Sequence, residues 1–144
     1  MSQGPARERF IILYDGLCGL CNRLNRFVLK RDTEGRFRFA SLQSEFSREV
    51  LIRHRRSATD VNTLYVLREV SAGREELLSK SEAVVTILEQ LSGFRPWVVL
   101  MKILPTALTD LGYDLVAKNR YRFFGRYEVC PLPSSEERER FIQI

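Results

Sequence analysis

An unbroken apolar run, Phe10-Ile11-Ile12-Leu13-Tyr14, is followed at once by Asp15-Gly16 and then by an amphipathic helical pattern. A strand without polar alternation is one covered on both faces, the usual state of strands in α/β sheets. The Asp-Gly pair supplies turn chemistry. Leu20, Leu24, Phe27 and Val28 then fall at i, i+4, i+7 and i+8, one stripe of a 3.6-residue period. Arg23, Asn25, Arg26 and Lys30 lie outside that stripe. The pattern is the opening of a βαβ unit.

The rest of the chain continues it. Thr33-Glu34-Gly35 breaks the helix, and Arg36 to Ala40 alternates as a half-buried strand does. Residues 44–55 read as a short helix with Phe46 and Val50 inward. Thr63 to Leu67 is a second β-rich run, Ala72-Gly73 a loop, and Glu75 to Leu78 a hairpin partner. Ser79-Lys80-Ser81-Glu82 matches a capping box ahead of a helix with Val84, Ile87, Leu88 and Leu91 inward, stopped by Gly93. Pro96 opens a further helix and Pro105 closes it. A last helix from about Thr106 places Leu108, Leu111 and Leu115 inward and ends before Gly125. The right-handed crossover rule makes the first two strands parallel. A βαβ unit followed by a hairpin and a helix is the thioredoxin layout. The expected fold class is therefore α/β with a thioredoxin-like fold. One domain is expected over 1–144, its core at about 9–92 and a helical extension at about 95–130.

Composition narrows the setting. A chain of 144 residues, 44% hydrophobic and 28% charged, is in the globular range and long enough to bury a core without disulfide staples. Three cysteines are few and odd in number, unlike a secreted disulfide scaffold. The first nine residues lack the apolar core of a signal peptide. The longest apolar run, Trp97 to Met101, is far short of the roughly 20 residues that span a bilayer. These features predict a cytoplasmic protein in a reducing compartment. The net charge of +5 is moderate, and no basic motif interleaved with aromatics is present, so no nucleic-acid partner is expected.

The chemistry concentrates in Asp15-Gly16-Leu17-Cys18-Gly19-Leu20-Cys21, where strand turns into helix. The first backbone N–H groups of a helix lack intrahelical partners, and its dipole favours negative charge there. A thiolate on Cys18 meets both, so its pKa is expected below the free value of about 8.5. Cys21 is three residues on, nearly one turn, within reach of the sulfur of Cys18. Cys18 would attack a substrate disulfide, and Cys21 would resolve the mixed disulfide. The redox group is then the Cys18–Cys21 pair itself, with no other cofactor, and the partners are a protein or small-molecule disulfide substrate and a reducing partner. Asp15 is read either as a helix cap and loop-shaping residue or as a relay for the proton of Cys21. Two other readings stand beside exchange. One is a thioredoxin-fold binding module with idle cysteines. The other is a zinc site, for which only His54 and Cys130 remain as further ligands.

Weaker signals complete the reading. Cys130 is either a third redox thiol or an isolated cysteine. His54, in Arg53-His54-Arg55-Arg56, reads as part of a solvated basic helix end. Arg23 and Arg26 read as the solvated face of the first helix. The stretch 96–104 is apolar nearly all round, which points to core packing for Trp97, or otherwise to a partner or dimer surface or to contact with a membrane surface. Tyr113, Tyr121, Phe123 and Phe124 are expected to pack the helical extension onto the sheet.

The Asp-x-x-Cys-x-x-Cys motif after an apolar strand resembles the DCC family of thiol–disulfide oxidoreductases. Ser81-Glu82-Ala83-Val84 resembles the family's Ser-x-Ala segment. Asn119-Arg120-Tyr121-Arg122-Phe123-Phe124-Gly125, followed by Cys130, resembles its C-terminal signature. The resemblance covers roughly residues 10–130 and implies a thioredoxin-like fold, with Asp15, Cys18 and Cys21 standing for the family's Asp, Cys and Cys. Two departures from ordinary thioredoxins are visible. The dipeptide between the cysteines, Gly19-Leu20, contains no proline, and neither do Asp60, Val61 and Asn62, where thioredoxins carry a cis-proline.

Overall fold

The structure, a computed structural model, describes residues 9–32, 35–57, 63–71, 74–91, 93–125 and 140–142. The chain runs β1 (Arg9–Tyr14), α1 (Gly19–Arg31), β2 (Phe37–Ser41), α2 (Glu45–Arg53), β3 (Tyr65–Ser71), β4 (Arg74–Ser79), α3 (Lys80–Gln90), α4 (Arg95–Ile103), α5 (Thr106–Phe124) and β5 (Phe141–Ile142). The sheet order is β4-β3-β1-β2-β5. β1 and β2 are parallel with Ile12 opposite Phe39, and β3 is antiparallel to both β1 and β4. This is the thioredoxin-like arrangement, with β1 at the centre.

The apolar run of β1 is explained by what covers it. Phe10, Ile12 and Tyr14 enter one core with Val28 of α1, Phe37 and Phe39 of β2, and Ala83 and Ile87 of α3. Ile11 and Leu13 enter a second core, with Val50 and Leu51 of α2. Successive side chains of a strand point to opposite faces, so a strand with helices on both sides needs apolar residues at every position.

Several expectations are corrected. Asn25, outside the apolar stripe of α1, is nonetheless buried, and its amide has no hydrogen-bond partner among the described residues. It lies seven residues after Cys18, on the same side of α1. Ser79 is the N-cap of α3 but makes no side-chain capping bond. It is still paired with Tyr65 in the sheet, and the next residue turns through a positive φ at Lys80. The buried residues of α3 are Ser81, Ala83 and Ile87, with Val84 at the core margin. The strand β5, which the sequence reading does not contain, adds to the edge at β2, where Phe141 stacks on Phe39 at 5.0 Å.

The largest correction concerns the two added helices. Only Val98 of α4 is buried, and Trp97 is 61% exposed. On α5, Leu111 and Leu115 face outward and Leu108 is half-exposed on the wall of a cleft, while Tyr113, Ala117 and Tyr121 form the inward stripe. Polar tips decide the rotation of α5. The Leu64 N–H donates to the Tyr113 hydroxyl at 2.7 Å, and the Tyr121 hydroxyl donates to Asp15. Trp97→Ala is accordingly expected to cost less than about 1 kcal/mol in chemical denaturation, the range of exposed positions rather than core ones. A loss of about 3 kcal/mol or more would return Trp97 to the core.

Candidate active site

Three sequence-predicted residues meet where β1 passes into α1. Cys18 is the N-cap of α1, with φ −84° and ψ 125°, and its sulfur accepts the Cys21 N–H at 3.4 Å. The turn before it is pinned. The Cys18 N–H donates to the Asp15 carbonyl at 3.1 Å, and the Asn22 side-chain amide donates to the Gly16 and Cys18 carbonyls at 3.0 and 2.8 Å. Both cysteines are in the thiol form, Cys18 fully buried and Cys21 half-buried.

Asp15 is buried and shapes the loop. Its Oδ1 accepts from the Leu17 N–H at 3.0 Å and from Gln43 Nε2 at 2.9 Å, and its Oδ2 accepts from the Tyr121 hydroxyl. Gln43 Oε1 in turn accepts the Gly16 N–H at 3.1 Å and the Ser41 hydroxyl at 2.5 Å. The Cys21 thiol is pushed well above the usual thiol range, first by its hydrogen bond to Cys18, then by burial and by the charge of Cys18. The charge of Asp15 adds to this, and a backbone hydrogen bond at Asp15 acts the other way. Cys21 is therefore held as the protonated partner of the pair.

The C-terminal end of α5 closes over this corner. The carbonyl of Gly125 accepts the Gly19 N–H at 3.1 Å, and Tyr121 reaches Asp15. Tyr121 and Gly125 thus close over the start of α1. Ser81 at the start of α3 donates to Asp110 of α5 at 2.5 Å, which ties the added helix to the core. Between α1, α3, α4 and α5 lies a cleft of about 500 Å³, with Leu20, Leu24, Val84, Met101 and Leu108 among its walls and Cys21 on its surface.

The other sequence candidates stand apart. Arg23 and Arg26 are on the exposed side of α1. His54 is held at 2.9 Å to Glu75 of β4, to which Arg53 also donates at 2.5 Å. Burial alone would raise the Glu75 carboxyl, but the hydrogen bonds from Arg53 and His54 hold it below its ordinary value. No group of three His, Cys, Asp or Glu side chains placed to hold a metal ion occurs among the described residues. Cys130 and the Asp60-Val61-Asn62 positions lie outside those residues. Sequence reasoning missed Gln43, whose side chain carries no recognisable signal. It also missed the cleft, which depends on how α4 and α5 sit. The role of Tyr121 was signalled only by its place in the C-terminal motif.

A sheet of this order with a dithiol at the N-terminus of its first helix defines a thioredoxin-fold protein built around a Cys-x-x-Cys pair. The chain belongs to the DCC1-like thiol-disulfide oxidoreductase family, whose model matches residues 12–126. It is 36% identical over 134 residues to YuxK of Bacillus subtilis (strain 168), covering 92% of this chain and 93% of YuxK. It is 33% identical over 126 residues to a chloroplastic DCC family protein of Arabidopsis thaliana, covering 87% of this chain and 70% of that protein. No solved structure matches it. No helix among the described residues is long and apolar enough to cross a membrane.

Proposed function

We propose that the protein reduces or exchanges disulfides, with Cys18 as nucleophile, Cys21 as resolving thiol and Asp15 as a positioning residue. The observation that carries this is the asymmetry of the pair. Cys18 sits at the helix N-terminus, its sulfur accepting the Cys21 N–H, while hydrogen bonding to Cys18 and burial keep Cys21 protonated. Negative charge is therefore better placed on Cys18.

The Cys18 thiolate attacks one sulfur of a substrate disulfide, forming a Cys18–substrate disulfide and releasing the other sulfur as a thiolate. That thiolate takes up a proton. Cys21 gives up its proton and attacks the Cys18 sulfur, which forms the Cys18–Cys21 disulfide and frees the second substrate thiol. Two electrons pass to the substrate, and a reducing dithiol returns the pair to its starting state. A reducing compartment such as the cytoplasm suits this direction.

Competitive alkylation with iodoacetamide tests the assignment. Cys18 is expected to react first near pH 7 despite its burial, because Cys21 offers almost no thiolate there. In Cys18→Ala the main cause of the raised Cys21 value is gone, so alkylation of Cys21 should begin at lower pH than in the parent. Modification of Cys21 ahead of Cys18 in the unaltered protein would overturn the division of roles.

A further inference from the structure

The cleft beside Cys21 differs in character from the polar turn that holds Cys18. Its walls are almost wholly apolar, and among the described residues lining it none is Lys, Arg or His and the one charged residue is Asp15. A disulfide flanked by carboxylates, as in glutathione disulfide, would bring negative charge into an apolar space that offers no cation, at a desolvation cost nothing there offsets. A disulfide flanked by aliphatic or aromatic groups would bury them at a gain.

The cleft also opens onto a larger apolar surface. Leu104, Leu108 and Val116 line it and are at the same time substantially exposed. The two helices that carry them also expose Trp97, Leu100 and Ile103, the last at 73%. A small molecule confined to about 500 Å³ leaves those side chains in water, whereas a polypeptide crossing α4 and α5 covers them. Apolar exposure on this scale marks a protein-binding face.

Resting on the dithiol reading above, we infer that the substrate is a protein disulfide whose cysteine is flanked by bulky apolar residues. One such side chain fills the cleft beside Cys21, and the neighbouring segment lies on α4 and α5. The cleft holds the residue next to the scissile sulfur and so brings that sulfur to the dithiol. The exchange itself is the one already written, with Cys18 entering, the substrate thiolate leaving and Cys21 resolving.

The test uses three oxidants of the reduced full-length protein: a peptide disulfide flanked by Leu and Phe, the same peptide flanked by Glu, and hydroxyethyl disulfide, too small to fill the cleft. The apolar peptide is expected to react on the order of tenfold or more faster than the acidic one, the equivalent of burying one large side chain. Leu108→Glu and Val116→Glu, both at exposed helical positions, should erase that preference, read as the ratio of the two peptide rates in each variant. Equal rates with the two peptides would overturn the inference while hydroxyethyl disulfide still reports a working dithiol. A preference for the acidic peptide would also overturn it, placing the substrate instead at the polar recess that carries Lys80 and Lys118. If Leu108→Glu turns a dimer into a monomer with the peptide preference intact, a second copy covers the face and the inference fails. No reaction with any of the three removes the dithiol reading and this inference together.

Discussion

A covalent adduct is expected to accumulate when the Cys21→Ser protein meets a disulfide substrate. Cys18 keeps its place at the N-terminus of α1, and the backbone N–H of residue 21 still points at its sulfur, because the substitution changes only the side chain. Attack therefore proceeds. Serine cannot displace the substrate from Cys18, so the mixed disulfide persists until an external thiol arrives. Cys18→Ser should show the opposite result. A hydroxyl at position 18 is not ionised near neutral pH, and the remaining thiol at Cys21 lies within α1 rather than at its N-cap, so neither adduct nor turnover is expected at that pH. Non-reducing electrophoresis with mass spectrometry reads both outcomes. The informative reversal is an adduct on Cys18→Ser and none on Cys21→Ser. That would make the more accessible Cys21 the nucleophile, with accessibility outweighing the favourable position of Cys18. The expected order holds that protonation state governs, since only a thiolate attacks.

The fold core was legible because each of its elements carries a signal that tertiary contacts reinforce. The apolar run at 10–14 can satisfy its composition only with both faces covered, and α1, α3 and α2 cover them. The position of Cys18 followed from the same junction, since the turn chemistry of Asp15-Gly16 leaves few places for a helix to begin. The added helices misled for a physical reason. Leucine periodicity in α5 names Leu108, Leu111 and Leu115 as an inward stripe, yet the helix is rotated so that Tyr113 and Tyr121 reach Leu64 and Asp15. A buried backbone N–H and a buried carboxylate each need a partner, and two tyrosine hydroxyls supply them where leucine could not. The exposure of Trp97 follows from the same arrangement, because α4 buries only Val98. Contacts of this kind join residues about 50 and 106 apart in sequence, beyond what local periodicity records. The apolar cleft beside Cys21 is a product of that rotation and was invisible for the same reason.

Asp15→Ala is expected to lower stability by about 3 kcal/mol or more, measured by urea unfolding. The carboxylate accepts from the Leu17 N–H, from Gln43 and from Tyr121 within a buried corner. Deleting it strands those donors, and each hydrogen bond to a charged group contributes about 1.5–3 kcal/mol. Because Tyr121 ties the end of α5 to Asp15 at the start of this corner, the same variant should expose Cys18 and speed its alkylation. Asp15→Asn separates positioning from proton transfer. The amide keeps the shape and an acceptor for the Leu17 N–H, but it cannot take up the proton of Cys21. If Asp15 positions the loop, resolution of the mixed disulfide in Asp15→Asn should stay within about threefold of the parent, with an unshifted pH profile. A slowing of tenfold or more with a lingering adduct, in a protein whose urea midpoint is intact, would assign the proton of Cys21 to Asp15 instead. That distinction rests on a rate and its pH dependence, which a loss of packing alone does not reproduce.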